Sequence, residues 1–130
     1  MLKSVTYIIL TVLFPILAGS FIYYFFRFSS HRSLQHSFTT NFILYNLPDG
    51  LWFYALLSSL KVIWKDGLLT KGLYWLLFVC IVVPFTEILQ LFHLLPGTFD
   101  WLDLLSYGLS FVLFSTQLKS KFTHINSIAS

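Results

Sequence analysis

Acidic side chains are concentrated in one short stretch of the sequence, between residues 87 and 103. Glu87, Asp100 and Asp103 are three of only five acidic residues in a chain of 130, and apolar runs flank them on both sides. A carboxylate next to or inside an apolar run is costly, so each such group is expected to have a purpose. Glu87 lies well inside its run, where it caps no helix and must be paired, hydrogen-bonded or protonated.

Polar side chains at helical spacing extend this group of acids into the flanking runs. Gln90 lies one turn after Glu87 and can donate a hydrogen bond to it, while a polar stripe continues from Asp103. Arg27 or Arg32 is the basic group expected in a Glu–Arg clamp, the purely structural alternative to a binding site. The predicted pocket consists of Asp49, Glu87, Gln90, Asp100, Asp103, Tyr107, Ser110 and Arg27.

Helix starts offer a simpler explanation for the aspartates. Asp100 and Asp103 have the spacing of an N-cap residue and an N3 acid. Asp49 follows Asn46 and Pro48, a helix-start sequence, and would lie at the positive end of the helix dipole. Capping is the favoured interpretation for Asp100, and Asp49 fits both interpretations. For Asp103 a site is favoured, because the stripe of Ser106, Tyr107 and Ser110 continues from it.

Long apolar segments must position these groups. The chain is 57% hydrophobic and 10% charged, far outside the range of soluble globular domains, and several runs reach the roughly 20 residues that cross a bilayer as a helix. We therefore predict an all-α membrane protein, a single-domain bundle of four transmembrane helices with antiparallel neighbours. The predicted helices cover about residues 5–28, 46–65, 71–95 and 100–118. Gly19 is expected to permit close packing of another helix.

Basic residues lie at the ends of these segments. Six lysines fall on the side of the termini and two arginines on the other side, which predicts cytoplasmic termini and an outward-facing acidic pocket. Scattered basic residues do not form the stripe that nucleic-acid binding requires, so no nucleic-acid partner is expected. The histidines and Cys80 lack the spacing of metal ligands, and neither a metal nor a cofactor is predicted.

The order of motifs between Glu87 and Gly108 is typical of one family of membrane proteins. Glu87-x-x-Gln90 is followed by a Pro96-Gly97 turn, then by Asp100-x-x-Asp103 and a last helix that bears small residues. This arrangement resembles the VanZ-like membrane proteins, which carry an E-x-x-Q step and a Pro-Gly turn with two following aspartates. Asp49 is similar to an acidic position before that family's second conserved helix, whereas Thr98 stands where the family usually has arginine.

The resemblance implies a protein of the bacterial inner membrane that acts at the cell envelope. Its outward-facing pocket would bind a lipid head group or a glycopeptide-like molecule, with membrane lipids as partners. A membrane enzyme acting on a lipid-linked substrate is an alternative, with Glu87 or Asp103 as general acid or base. Because the sequence shows no activated nucleophile, the enzyme is less favoured. A third possibility is a small structural subunit whose polar residues only lock its helices together.

Overall fold

A computed structural model of the chain describes residues 2–29, 39 and 42–126, with the backbone alone at positions 2, 3, 26, 27, 29 and 119–126. These residues form helices and connecting turns, and no strand occurs among them. The α-helices are α1 (Leu2–Ile8), α2 (Phe14–Ser29), α3 (Leu47–Trp64), α4 (Leu73–Leu91) and α5 (Trp101–Asn126). A π-helical turn, Ile9–Leu13, joins α1 to α2 without a break in the helical backbone, and a second one, Phe42–Asn46, precedes α3. The all-α prediction is thereby confirmed for the described residues.

Two of the helical stretches are long and apolar enough to cross a membrane. Ser4–Phe25 has 22 residues with a mean hydropathy of 2.2, and Leu73–Leu91 has 19 residues with a mean hydropathy of 1.9. Only 11% of each stretch is buried inside the protein, so large apolar side chains such as Phe21 and Phe78 lie on the outer surface. An apolar surface of this extent is expected where a helix faces lipid or a partner, and it is consistent with association with a membrane.

The remaining helices pack around α3, which contacts α2, α4 and α5. Its most extensive contact is with α5. These two helices run in the same direction, because the start of each lies at the same end of the protein. Antiparallel neighbours were predicted, and the short connections do reverse the chain between α3 and α4 and between α4 and α5. The main contact nevertheless joins a parallel pair. The buried apolar core of the bundle also includes residues of α4 and of the turn before it, and it consists of Phe53, Leu57, Leu68, Leu76, Tyr107 and Phe114.

Two glycines set how closely neighbouring helices approach α3. A Cβ atom at Gly50 would lie 3.1 Å from the Cβ of Ser106 on α5. A Cβ atom at Gly19 on α2 would lie 2.8 Å from Nε1 of Trp52 on α3, which confirms that this glycine permits close packing of α3 against α2. Such approaches are the usual role of small residues between membrane helices, where packing rather than the hydrophobic effect holds the helices together.

The helix that carries Glu87 ends earlier than the sequence predicts. α4 stops at Leu91 rather than near Leu95, because a left-handed residue, His93, caps the end of the helix in a Schellman motif. The amide of Leu94 donates to the carbonyl of Leu89, and His93 adopts a positive φ of 58°. Glu87 therefore lies only about one turn, or roughly 6 Å, from the helix end. It is closer to the loop than the predicted boundary implied.

The last helix extends beyond its predicted end near Leu118 and continues to Asn126. The sequence after Leu118 is polar, and the prediction ended the helix where the hydropathy falls. Hydropathy limits the part of a helix that lies in a membrane, but the lysines that follow Leu118, Lys119 and Lys121, are good helix formers in water. The backbone therefore stays helical past the end of the apolar run.

Candidate functional site

Asp100 forms the start of α5. One carboxylate oxygen, Oδ1, accepts a hydrogen bond of 2.9 Å from the amide of Leu102, and the carbonyl of Asp100 accepts one of 3.2 Å from the amide of Asp103. The first turn of a helix has amide groups without partners inside the helix, and an aspartate at the N-cap satisfies one of them. The capping role predicted for Asp100 is confirmed.

Asn46 connects the start of α3 with the start of α5. Its amide nitrogen donates to Oδ1 of Asp103 over 2.7 Å and to Oδ2 of Asp100 over 3.2 Å. The residue is only 2% exposed. The sequence predicted Asn46 as part of a helix start, yet its side chain makes no capping hydrogen bond to α3. It instead places a neutral donor between two carboxylates, and it was not among the residues predicted for the pocket.

Glu87 faces the interior of the bundle and is 5% exposed. The hydroxyl of Tyr107 on α5 donates to Oε1 of Glu87 over 3.3 Å. The other oxygen, Oε2, is buried and has no hydrogen-bond partner among the described residues. Gln90 does not supply the expected donor to Oε2, and its amide group instead packs against Gly97, with Cδ 2.7 Å from where a Cβ of Gly97 would lie.

The carboxylates come together from three helices to form what we call the acidic cluster. Asp49 lies in the first turn of α3 and interacts electrostatically with Glu87 on α4 and Asp103 on α5. Glu87 also interacts with Asp100. The acidic cluster thus consists of Asp49, Glu87, Asp100 and Asp103.

The acidic cluster presents hydrogen-bond acceptors and negative charge. Within the described ranges, no three His, Cys, Asp or Glu side chains are arranged to hold a metal ion. Two of the donors that reach the cluster, Asn46 and Tyr107, are neutral. The side chain of Arg27, and all of Arg32, lie outside the described residues.

The residues of the polar stripe predicted on α5 make different hydrogen bonds, and only one of these described residues reaches a carboxylate of the acidic cluster with its side chain. Tyr107 reaches Glu87, whereas Ser110 donates a hydrogen bond of 2.7 Å to the carbonyl of Gly50 on α3. Ser106 bonds within its own helix to the carbonyl of Asp103 over 2.8 Å. Both serines are buried. Ser110, which the sequence placed in the pocket, therefore serves the contact between α3 and α5.

An apolar cavity of about 340 Å³ adjoins the acidic cluster between α4 and α5. Tyr107 connects the two, since its hydroxyl donates a hydrogen bond to Glu87 and the residue also lines the cavity. Pro84, one turn before Glu87 on α4, lines the same cavity. Gly108 forms part of the wall, and a Cβ atom there would meet nothing within 4 Å. We call this cavity the α4–α5 cleft; its lining residues are Phe53, Cys80, Pro84, Leu104, Tyr107, Gly108 and Phe111.

Comparison with known proteins adds no support to the resemblance to VanZ-like proteins, which rests on the sequence motifs alone. No protein-family profile, no curated protein and no solved structure matches the chain.

Proposed function

We propose that the chain is a VanZ-like protein of the bacterial inner membrane, with four membrane spans, that binds the polar group of an amphiphile at the acidic cluster. In this topology both termini are cytoplasmic and the cluster opens outward, as the distribution of six lysines against two arginines favours. The ligand is a membrane lipid or a glycopeptide-like molecule, with its polar group at the cluster and its apolar chain in the α4–α5 cleft.

The observation that carries this proposal is the buried oxygen Oε2 of Glu87. Buried polar atoms in folded proteins are nearly always hydrogen-bonded, because an unsatisfied one costs about 1–3 kcal/mol. Tyr107 satisfies Oε1 and leaves Oε2 without a partner among the described residues. A residue retained only to lock helices together would be expected to have both oxygens bonded. A ligand donor at Oε2 removes this penalty.

The α4–α5 cleft explains why the ligand is an amphiphile. Its walls are apolar, and Tyr107, which lines the cleft, donates a hydrogen bond from its hydroxyl to Glu87. Lipid tails are as apolar as these walls, so moving a tail from the bilayer into the cleft changes the free energy little. The cleft therefore orients the chain of the ligand, while hydrogen bonds at the acidic cluster supply the affinity.

Lipid retention tests the proposal directly. Protein reconstituted in nanodiscs of phosphatidylethanolamine, phosphatidylglycerol and cardiolipin is released into the gas phase, and bound lipid is counted by native mass spectrometry. We expect Gly108→Leu to fill the cleft and reduce retention about tenfold, a change of 1.4 kcal/mol. Because a Cβ at Gly108 meets nothing within 4 Å, the variant should fold.

The matched control is Leu105→Phe, which adds bulk to the same helix at a side chain that is 53% exposed and does not line the cleft. It should retain lipid as the unaltered protein does. Absence of bound lipid from the unaltered protein, or equal retention by Gly108→Leu, would refute a lipid site in the cleft.

The structural alternative, a clamp between Glu87 and Arg27, makes a different prediction. If the two residues pair only to hold the helices, Glu87→Gln should lower stability, and Arg27→Gln in the same chain should restore it, because a single change leaves one charge buried without a partner. If Glu87 binds a ligand, the single variant should lose lipid with little change in stability, and the second substitution should not restore retention. Thermal unfolding in detergent and lipid counts on the unaltered protein, Glu87→Gln and the double variant separate the two cases.

A further inference from the structure

We infer that the polar group recognised at the acidic cluster is a primary ammonium group, carried by an ethanolamine lipid or by a free amine. This inference rests on the proposed binding function and specifies its ligand class. It follows from two properties of the site that are independent of each other: the hydrogen bond that Glu87 lacks, and the sign of the charge around it.

The missing hydrogen bond requires a donor on the ligand. Oε2 of Glu87 is buried and unpartnered among the described residues, while Oε1 already accepts from Tyr107. As a carboxylate, Glu87 has acceptor sites only. A primary ammonium group carries three N–H donors, so it can bond Oε2 and still reach a second acceptor. A trimethylammonium group has no N–H and would leave Oε2 unsatisfied.

The charge around Glu87 favours a cation over a phosphate. Asp49 and Asp103 both interact electrostatically with it, and these interactions are repulsive between carboxylates. Asn46 and Tyr107, which donate into the cluster, are neutral and do not cancel the negative charge. An anionic group placed at Oε2 would add to the repulsion, whereas an ammonium group would relieve it.

The lysine side chains that the structure describes lie at the other end of the bundle. Lys61 is twelve residues along α3 from Asp49, which corresponds to roughly 18 Å at 1.5 Å per residue. Lys61 donates to the carbonyl of Gln117 on α5, far along that helix from Asp103. Lys65 and Lys71 follow Lys61 in the turn between α3 and α4. These lysines therefore do not neutralise the acidic cluster.

Competition between lipid head groups tests the inference. Nanodiscs with equal amounts of phosphatidylethanolamine, phosphatidylcholine and phosphatidylglycerol present an ammonium with N–H donors, an ammonium without them, and an uncharged alcohol. Native mass spectrometry should show phosphatidylethanolamine bound to the unaltered protein about tenfold in excess over each of the others, the factor that 1.4 kcal/mol represents. Glu87→Gln should abolish this preference.

Two further variants keep the test decisive. Asp66→Asn removes a carboxylate from the opposite end of the bundle and should leave the preference unchanged. Asp49→Asn removes negative charge from the acidic cluster without touching the Glu87–Tyr107 hydrogen bond, and it should weaken the preference. Asp49→Asn also tests the inference if Glu87→Gln fails to fold. An unchanged lipid preference in Asp49→Asn would contradict the role given to the negative charge of the cluster.

A soluble probe distinguishes a lipid from a free amine. In a detergent without amino groups, ethanolamine should raise the unfolding temperature of the unaltered protein but not that of Glu87→Gln, since a ligand that binds only the folded state stabilises it. Ethylene glycol and choline should have no effect. Stabilisation by ethanolamine without any lipid preference would assign the site to a free amine.

The outcomes separate this inference from the function on which it rests. Equal binding of phosphatidylcholine and phosphatidylethanolamine, or a preference for phosphatidylglycerol, overturns the primary ammonium even if Gly108→Leu shows that a lipid occupies the cleft. In that case the proposed lipid site stands and only its ligand class is wrong. If no lipid is retained and ethanolamine has no effect, both the site and its ligand class are refuted.

Discussion

Replacing Asn46 by alanine removes the two hydrogen bonds that link the start of α3 to Asp100 and Asp103 at the start of α5. The amide donates to Asp103 over 2.7 Å and to Asp100 over 3.2 Å. A hydrogen bond to a charged group contributes about 1.5–3 kcal/mol, and the longer of these two should contribute least. The variant also leaves two carboxylates facing each other without a donor between them. We therefore expect Asn46→Ala to lower the free energy of unfolding by about 2–4 kcal/mol.

Unfolding of the purified protein in mixed micelles, with increasing sodium dodecyl sulfate, measures this change. Asn46→Ala is compared with Ser59→Ala, which removes a hydroxyl that bonds only within α3, to the carbonyl of Ala55. The control should stay within about 0.5 kcal/mol of the unaltered protein, as is usual for substitutions away from a structural link.

A double-mutant cycle then identifies the partner of the amide. Asn46→Ala and Asp103→Ala together should cost less than the sum of the two single changes, with a coupling of about 1–3 kcal/mol, because residues in one hydrogen-bond network are not additive. An Asn46→Ala variant as stable as Ser59→Ala would refute the reasoning, and additive effects would show that the amide stabilises something other than Asp103.

Three more predictions concern helix packing and the orientation of the chain. Gly50→Ala should destabilise the protein by about 1–3 kcal/mol in the same unfolding assay, because the new Cβ would lie 3.1 Å from the Cβ of Ser106. Gly108→Ala should be neutral or stabilising by up to about 1 kcal/mol, because its Cβ meets nothing within 4 Å and alanine is the better helix former. Equal effects of Gly50→Ala and Gly108→Ala on stability would contradict the packing described for α3 and α5. A reporter fused to the C-terminus should be active only if the reporter functions in the cytoplasm, and activity of a periplasmic reporter there would reverse the proposed topology.

The parts of the site that follow from local sequence were predictable. Asp100 stands immediately before an apolar helical run, so its capping of the amide of Leu102 required no knowledge of the rest of the fold. Glu87 lies inside an apolar segment, where the free energy of exposing a carboxylate to lipid is high enough to indicate an inward orientation. Its burial beside Tyr107 confirms that orientation.

The contacts that depend on the relative positions of helices were not predictable. Asn46 lies 57 residues from Asp103, and no pattern near either residue links them. The sequence Asn46-Leu47-Pro48 fits a helix start, which accounts for Asn46 without a partner on another helix. Gln90 shows the opposite error, because its spacing from Glu87 indicates a hydrogen bond, yet its side chain packs against Gly97 in the turn.

Predicting these contacts requires the register between α3 and α5, which Gly50 sets. Because Gly50 has no side chain, α5 approaches closely enough for Ser110 to donate to the carbonyl of Gly50 over 2.7 Å. The two helices run in the same direction, and Asn46 lies one turn before Gly50, so the same register brings Asn46 opposite the first turn of α5 and into contact with Asp103. A bulkier residue at position 50 would push α5 away and lengthen this hydrogen bond, even though Gly50 itself touches no carboxylate. The geometry of the acidic cluster therefore depends on a packing contact one turn away from it, and a change in lipid preference caused by Gly50→Ala would measure that dependence.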